Sequence, residues 1–456
     1  MSSRVTLDLS LALAPRVKGG VPQDQLLSHP RAKGAVPAVL EAVKAGKLGF
    51  WELPSDAALA QRCADVAKKL KGSFDTLVVF GIGGSSLGGR MLVEALAPPE
   101  GIPSVRFVDN VDPVRFERAL LDLDLERTCF NVISKSGGTV ETAAQFVIVR
   151  DLLKQRLGDE GYRARVVATT DPAKGLMHDI ASGDGLEMLP IPGNVGGRFS
   201  VLTAVGLLPA AFAGVDVAAL LDGAMAMRER CSGDDVAKNP ALALAALHHL
   251  ADTKLGRKIH VVMPYSDRLR AFGEWYCQLW GESLGKAKSR AGQEVHVGPT
   301  PVVAVGSTDQ HSQIQLYVEG PEDKLLDFIA VKEHGAEAPF PSSLPEGYAY
   351  LQGHTMAGLF DAERRGTALA LARLGRPSTM TTIERVSPEA IGGLVFLWEA
   401  ATAFAGELYD IDSFDQPGVE MGKQIAFALM GRRGFEDALA GLGELQSPDP
   451  KWVLDG

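Results

Sequence analysis

Several short stretches hold residues whose types and spacing could do chemistry. Val78-Val79-Phe80-Gly81-Ile82-Gly83-Gly84-Ser85-Ser86-Leu87-Gly88-Gly89-Arg90 is an apolar run that ends in glycines and two serines. After it, Leu87, Met91, Leu92 and Ala95 recur at helical spacing, which reads as strand, tight turn and helix. Such a turn leaves backbone N–H groups at a helix N-terminus, where the helix dipole favours an anion. The expected guest is a phosphate, with Gly83 allowing close approach and Ser85 offering a hydroxyl. Asn131-Val132-Ile133-Ser134-Lys135-Ser136-Gly137-Gly138-Thr139-Val140-Glu141-Thr142 repeats the device. Here the hydroxyls of Ser134, Ser136 and Thr139 join the ammonium of Lys135 at another helix start, although Ser136 or Thr139 could simply cap that helix. Loops at the carboxyl ends of neighbouring parallel strands share one crevice, so the two turns together suit one phosphate monoester, with Lys135 as a point charge.

Other readings of the first turn compete. A dinucleotide fingerprint needs G-x-G-x-x-G, but Ser86 stands third after Gly81 and Gly83. Asp109, at the end of a strand-like run, could still play the ribose acid, so this remains the runner-up. A nucleotide P-loop needs Lys after the last glycine, and Gly89 and Arg90 follow instead. A glycine turn that only packs helix on sheet is the plainest alternative.

Candidate proton chemistry lies further along. Pro192-Gly193-Asn194-Val195-Gly196-Gly197-Arg198-Phe199-Ser200 is a glycine loop presenting a guanidinium, which could stabilise a developing oxyanion or only pair with a surface carboxylate. Trp280-Gly281-Glu282-Ser283 ends an aromatic-rich helix. A carboxylate in apolar company has its proton affinity raised and can act as a base, whereas a lone Glu at a helix end usually faces solvent. Gly306-Ser307-Thr308-Asp309-Gln310-His311-Ser312 offers His311 for proton transfer near neutral pH, against a structural histidine as the commoner case. Phe414-Asp415-Gln416-Pro417-Gly418-Val419-Glu420-Met421-Gly422-Lys423 turns into the last helix, and Lys423 is either a proton donor or a surface lysine.

These residues need elements to hold them. Strands are expected at 76–80, 105–109, 128–134, 165–170 and 186–190. Helices are expected at 56–70, 87–97, 112–121, 139–157 and 172–180. The alternation predicts parallel strands covered by helices on both faces. A helix-rich stretch, 200–255, leads to a second α/β unit with strands at 258–264, 301–305, 324–329 and 378–383. Helices are expected there at 269–284, 357–374 and 388–406, with a long excursion at 319–353 and a helical tail at 418–442. The expected division is an N-terminal arm (1–54), a first α/β domain (55–212), a second (213–410) and a C-terminal helical segment (411–456).

At 456 residues, two or three domains are expected. The net charge of −10 argues against nucleic acid as the main partner, so an anion must be held by a local arrangement. Cys63, Cys129, Cys231 and Cys277 show neither C-x-x-C pairing nor metal-ligand spacing, and read as buried thiols in a reducing compartment. Residues 1–15 lack a signal peptide's apolar core, and no run of about 18 apolar residues suggests a membrane span. A cytoplasmic protein without membrane contact is expected.

With these motifs assembled, the chain resembles the glucose-6-phosphate isomerase (phosphoglucose isomerase) family from about Phe74 to Lys423. The most selective pieces are Gly196-Gly197-Arg198-Phe199-Ser200 and Phe414 to Lys423, while the two anion turns are shared with wider sugar-isomerase domains. The resemblance implies two three-layer αβα sandwich domains with parallel sheets, a site between them in a homodimer, and no metal or organic cofactor. It assigns the phosphate to Ser85, Ser134, Lys135, Ser136 and Thr139, and the C1/C2 base to Glu282. Arg198 would stabilise the enediolate, His311 from the other subunit would help open the sugar ring with Lys423, and Gln416 would contact substrate. The implied reaction is aldose–ketose isomerisation of glucose 6-phosphate and fructose 6-phosphate, in glycolysis and gluconeogenesis. Gly138 departs from the threonine common in the family, so a backbone N–H or water is expected in its place. Rival readings are isomerisation of mannose 6-phosphate, a sugar-phosphate sensor, and a dinucleotide-binding dehydrogenase. A sensor would need the anion turns but not Glu282, His311 and Lys423.

Overall fold

A computed structural model describes residues 5–98 and 103–454, so the first four residues of the expected arm lie outside it. Two five-stranded sheets organise the chain. In the first, all strands are parallel, in the order Ser104–Val108, Thr76–Phe80, Thr128–Ile133, Val166–Thr170, Glu187–Pro190. Thr128–Ile133 is buried at every position, as a strand with helices on both faces should be. The chain leaves Thr76–Phe80 to one side and returns on the other, so the strand order reverses between Thr76–Phe80 and Thr128–Ile133. That reversal opens a crevice at the carboxyl ends of these two strands, where both anion turns begin.

The helices sit close to their expected places, and the differences have local causes. Asp56 caps the helix Ala57–Lys71 by accepting the Leu59 N–H at 3.0 Å. The expected helix at 139–157 runs as Val140–Arg165, but Gly158 (φ 70°, ψ 179°) breaks it where the sequence reading ended it. The expected helix at 172–180 starts only at Leu176. Asp171 accepts the N–H groups of Ala173 (3.0 Å) and Lys174 (3.2 Å), folding those residues into a turn before the helix can begin.

The second sheet runs Thr6–Asp8, Ser378–Arg385, Lys324–Glu333, Ile259–Pro264, Thr300–Val303. Its last four strands are parallel, and Thr6–Asp8 adds to the edge antiparallel. Residues from the expected arm thus complete a sheet. Between Ile259–Pro264 and Thr300–Val303 the chain forms the helix Arg270–Leu284. Its Trp280 packs against His248 and Trp398, with ring centroids 5.1 and 5.9 Å away. His248 hydrogen-bonds His260 and Asp327, and Thr379 donates to Asp327 at 2.6 Å, so a buried polar chain ties this helix's footing to the sheet.

The helix Pro388–Tyr409, at 22 residues, is apolar and long enough to cross a membrane by length and composition. Its apolar window is 94% buried within the protein, so it is a core helix, apolar on all sides because neighbours surround it.

The chain divides into two compact units, Met1–Ser413 and Phe414–Gly456. In the second, the helix Glu420–Leu429 carries no buried residue. It is shorter than the expected 418–442 because Gly431 (φ 73°) follows its cap. Phe427 and Phe435 meet edge-on at 5.1 Å with Arg432 over both rings.

Candidate active site

The first turn follows Phe80 directly. The Ser85 and Ser86 N–H groups donate to the Ile82 and Gly83 carbonyls at 3.1 and 2.9 Å, closing it into a tight coil ahead of the helix Leu87–Leu96. Gly84 rests on the backbone of the Arg198 loop, where an added Cβ would lie 2.2 Å from the Gly197 carbonyl carbon and 2.8 Å from the Arg198 nitrogen. Ser200 Oγ donates to the Gly84 carbonyl at 3.3 Å and to Gly197 at 2.7 Å. The runner-up dinucleotide acid is committed elsewhere: Asp109 accepts from Ser86 (3.2 Å), Arg90 (3.3 Å) and Arg115 (2.9 Å).

The second turn follows Ile133. Ser134 Oγ accepts the Gly137 N–H, and Ser136 Oγ accepts the Gly138 N–H, both at 3.1 Å. Each hydroxyl still has its own hydrogen to donate. Gly137 (φ 72°) passes so close to the first residues of the helix Leu176–Asp184 that a Cβ would lie 2.2 Å from Met177 N. Thr139 occupies the N-cap with no side-chain cap bond, so capping does not account for its hydroxyl. Lys135 is placed differently from expectation. Its Nζ donates to the carbonyls of Gly193 (2.7 Å) and Val195 (3.0 Å), tying the turn to the loop that carries Arg198. Burial lowers its pKa, opposed by Asp171 and reinforced by Lys174.

Arg198 and Glu282 meet. The buried guanidinium donates from Nη1 to Glu282 Oε2 at 3.2 Å, from Nε to Ser283 Oγ at 2.7 Å and from Nη2 to the Ser413 carbonyl at 2.7 Å. Arg198 is thus not a surface ion pair. Glu282 is not enclosed by the aromatics of its helix, as its sequence neighbours suggest. Trp275, Tyr276 and Trp280 are fully buried, while the Glu282 side chain is 35% exposed and held by polar donors. The second donor is Gln278, at 3.0 Å to Oε1. The spacing Gln278 to Glu282, one helical turn, was a usable signal for this residue. Lys286 Nζ caps the helix end by donating to the Glu282 carbonyl at 2.7 Å and to that of Ser283 at 3.1 Å. Gly83 of the first turn also abuts Gln278, whose Nε2 would lie 2.9 Å from a Cβ there. The first turn, the Arg198 loop and the helix that carries Glu282 therefore meet at one place.

His311 stands on the exposed turn after Thr308–Gln310. Asp309 shapes that turn, accepting from the Val305 N–H at 2.7 Å and from Ser312 Oγ at 2.6 Å. Gln416 and Lys423 belong to the second unit, where Lys423 pairs with Glu420 at 2.9 Å and both are about half-exposed. Among the described residues, no group of three or more His, Cys, Asp or Glu side chains could hold a metal ion.

Comparison with known proteins bears on this geometry. The sequence profile described as phosphoglucose isomerase matches residues 65–434. A glucose-6-phosphate isomerase of Carboxydothermus hydrogenoformans is 42% identical over 435 residues, covering 92% of this chain and 93% of the relative. One from Rubrobacter xylanophilus is 43% identical over 430 residues, covering 92% and 96%. A solved structure of a hypothetical protein from Thermus thermophilus superposes with a TM-score of 0.86 at 37% identity, covering 94% of this chain and all of that one.

Proposed function

Since the chain belongs to the phosphoglucose isomerase family, we propose that it interconverts D-glucose 6-phosphate and D-fructose 6-phosphate through a cis-enediol. The carrying observation is the Arg198–Glu282 pair set against Gly84 of the anion turn. Isomerisation needs one base that reaches both C1 and C2, one cation for the developing oxyanion, and a remote anchor for the phosphate. Glu282 takes the proton from C2 of the opened glucose 6-phosphate and returns it to C1. Its carboxylate is fixed by Arg198 and Gln278, so little reorganisation is needed when substrate arrives. Arg198, buried and triply anchored, presents fixed positive charge where the enediolate oxygen forms.

The phosphate is anchored by Gly83, Ser85, Ser134, Ser136 and Thr139, with Lys135 contributing charge while it braces the Arg198 loop. Binding energy gained at this anchor holds the open-chain sugar against Glu282. His311, exposed on its turn, is suited to serve the site of a second copy in a homodimer and to open the sugar ring with Lys423, while Gln416 contacts substrate. The two sheets correspond to two sugar-isomerase domains, and the protein works in the cytoplasm, in glycolysis and gluconeogenesis. The test is the purified protein given fructose 6-phosphate in EDTA without NAD. Formation of glucose 6-phosphate supports the reading, and its absence rejects it.

A further inference from the structure

Phosphate anchor and base stand on different elements. The anchor turn leads into Leu87–Leu96, and the base ends Arg270–Leu284. Arg90 lies one turn into the first of these helices. Its guanidinium pairs with Asp109 at 3.3 Å, with Glu94 at 3.6 Å and with Glu274. Glu274 sits about two helical turns before Glu282 on the base helix. Asp109 follows the strand Ser104–Val108 and is itself held by Ser86, the first residue after the anchor turn, and by Arg115. Arg90 is therefore the point where anchor helix, sheet and base helix meet. A second strut joins the same two helical regions: Arg268 Nε, just before the base helix, donates to the Ala95 carbonyl at 2.8 Å.

The charge pattern makes Arg90 more than one of several contacts. Three carboxylates converge on this guanidinium, and the Arg90 side chain is only 21% exposed. Without it, Asp109, Glu94 and Glu274 face one another with less positive charge between them, and like charges at close range repel. The tie that Arg90 makes from the anchor helix to Glu274 of the base helix is lost with it, which leaves the Arg268 strut to join the two at this end.

We propose that Arg90 is a positioning residue that fixes the distance between the phosphate turn and Glu282. It touches neither substrate end, so its loss changes their separation rather than either end by itself. This rests on the proposed isomerase site, and the measurements separate the two ideas. The variants are Arg90→Ala, Arg90→Lys and Glu274→Gln. The readouts are kcat, inhibition by inorganic phosphate, which senses the anchor alone, and inhibition by 5-phosphoarabinonate, an enediolate mimic that spans anchor and base. For Arg90→Ala the expected fall in kcat is on the order of 10²-fold, the cost of a misplacement of about 1 Å. The mimic should weaken in step, phosphate inhibition should stay within about twofold, and Arg90→Lys should recover part of the loss. Glu274→Gln should shift the same ratio less, and it carries the test if Arg90→Ala does not fold. Equal weakening of phosphate and mimic, or no change in either, overturns the positioning role. Failure of the unaltered protein to isomerise, or to be inhibited by phosphate, overturns the site reading instead and this inference with it.

Discussion

Gly84→Ala tests whether the anion turn and the Arg198 loop form one site. The Gly84 backbone is not in the left-handed region, so alanine meets no conformational penalty there. The obstacle is steric and made of backbone. The new methyl would lie 2.2 Å from the Gly197 carbonyl carbon and 2.3 Å from its oxygen, where ordinary contact begins near 3.4 Å. The two loops must therefore part by about 1 Å, since no flexible side chain can yield. A displacement of about 1 Å between reacting groups costs on the order of 10²-fold in rate. Overpacking of this kind costs about 1–3 kcal/mol of stability, which a protein of this size can absorb. Steady-state isomerisation with a thermal melt of the same preparation reads both effects. The expected result is kcat lowered by on the order of 10²-fold in a folded protein. A folded Gly84→Ala variant with near-normal kcat would show that the turn and Arg198 need not be held together.

Ser134→Ala should weaken substrate and phosphate binding by roughly tenfold to a hundredfold, the worth of a hydrogen bond to a charged group, with kcat less affected. Lys135→Ala should lower both affinity and kcat, because Lys135 Nζ also holds the Gly193 and Val195 carbonyls of the arginine loop; loss of affinity alone would refute the bracing role. In co-expressed, doubly tagged heterodimers of Glu282→Gln and His311→Ala, one site collects both defects and the other neither, so about half the activity per dimer should return. Recovery no greater than the average of the parents would place His311 in its own chain's site or outside it. His249 sits beside His29, 3.0 Å away, and burial first, then His29, Arg31 and Lys254, push its pKa down to about 4. Its folded pKa is depressed, so the stability it contributes is present above the unfolded value of about 6.5 and is lost as pH falls towards about 4. His249→Gln should flatten the melting temperature across that window, and an unchanged slope would contradict the assignment.

The parts of the site readable in the chain are those whose chemistry is local. Glycines and hydroxyls after an apolar run mark both turns, and the strand order brings those turns to one crevice. The Arg198–Glu282 contact joins residues 84 positions apart, and no periodicity announces it. One of Arg198's partners is the Ser413 carbonyl, a backbone group without a side-chain signature. Aromatic neighbours suggested an apolar setting for Glu282, but on a helix those side chains turn into the core while Glu282 turns towards polar donors. The strand Thr6–Asp8 is too short to show a period, and pairing with Ser378–Arg385 is what makes it a strand. The late start of Leu176–Asp184 depends on Asp171 binding two backbone N–H groups, which its position before Pro172 concealed.

In the proposed reaction Glu282 moves a proton between C2 and C1. Isomerisation of fructose 6-phosphate in deuterium oxide, followed by NMR of the glucose 6-phosphate formed, measures this directly. The unaltered protein should place solvent deuterium at C2, because a carboxylate base exchanges its proton with water during the enediol's life. Glu282→Gln keeps the side chain's shape, leaves the phosphate turns intact and removes the acceptor. Exchange and turnover should fall together by at least roughly 10²–10⁴-fold, while inhibition by phosphate persists. Near-normal exchange and turnover in Glu282→Gln would show that Glu282 is not the base.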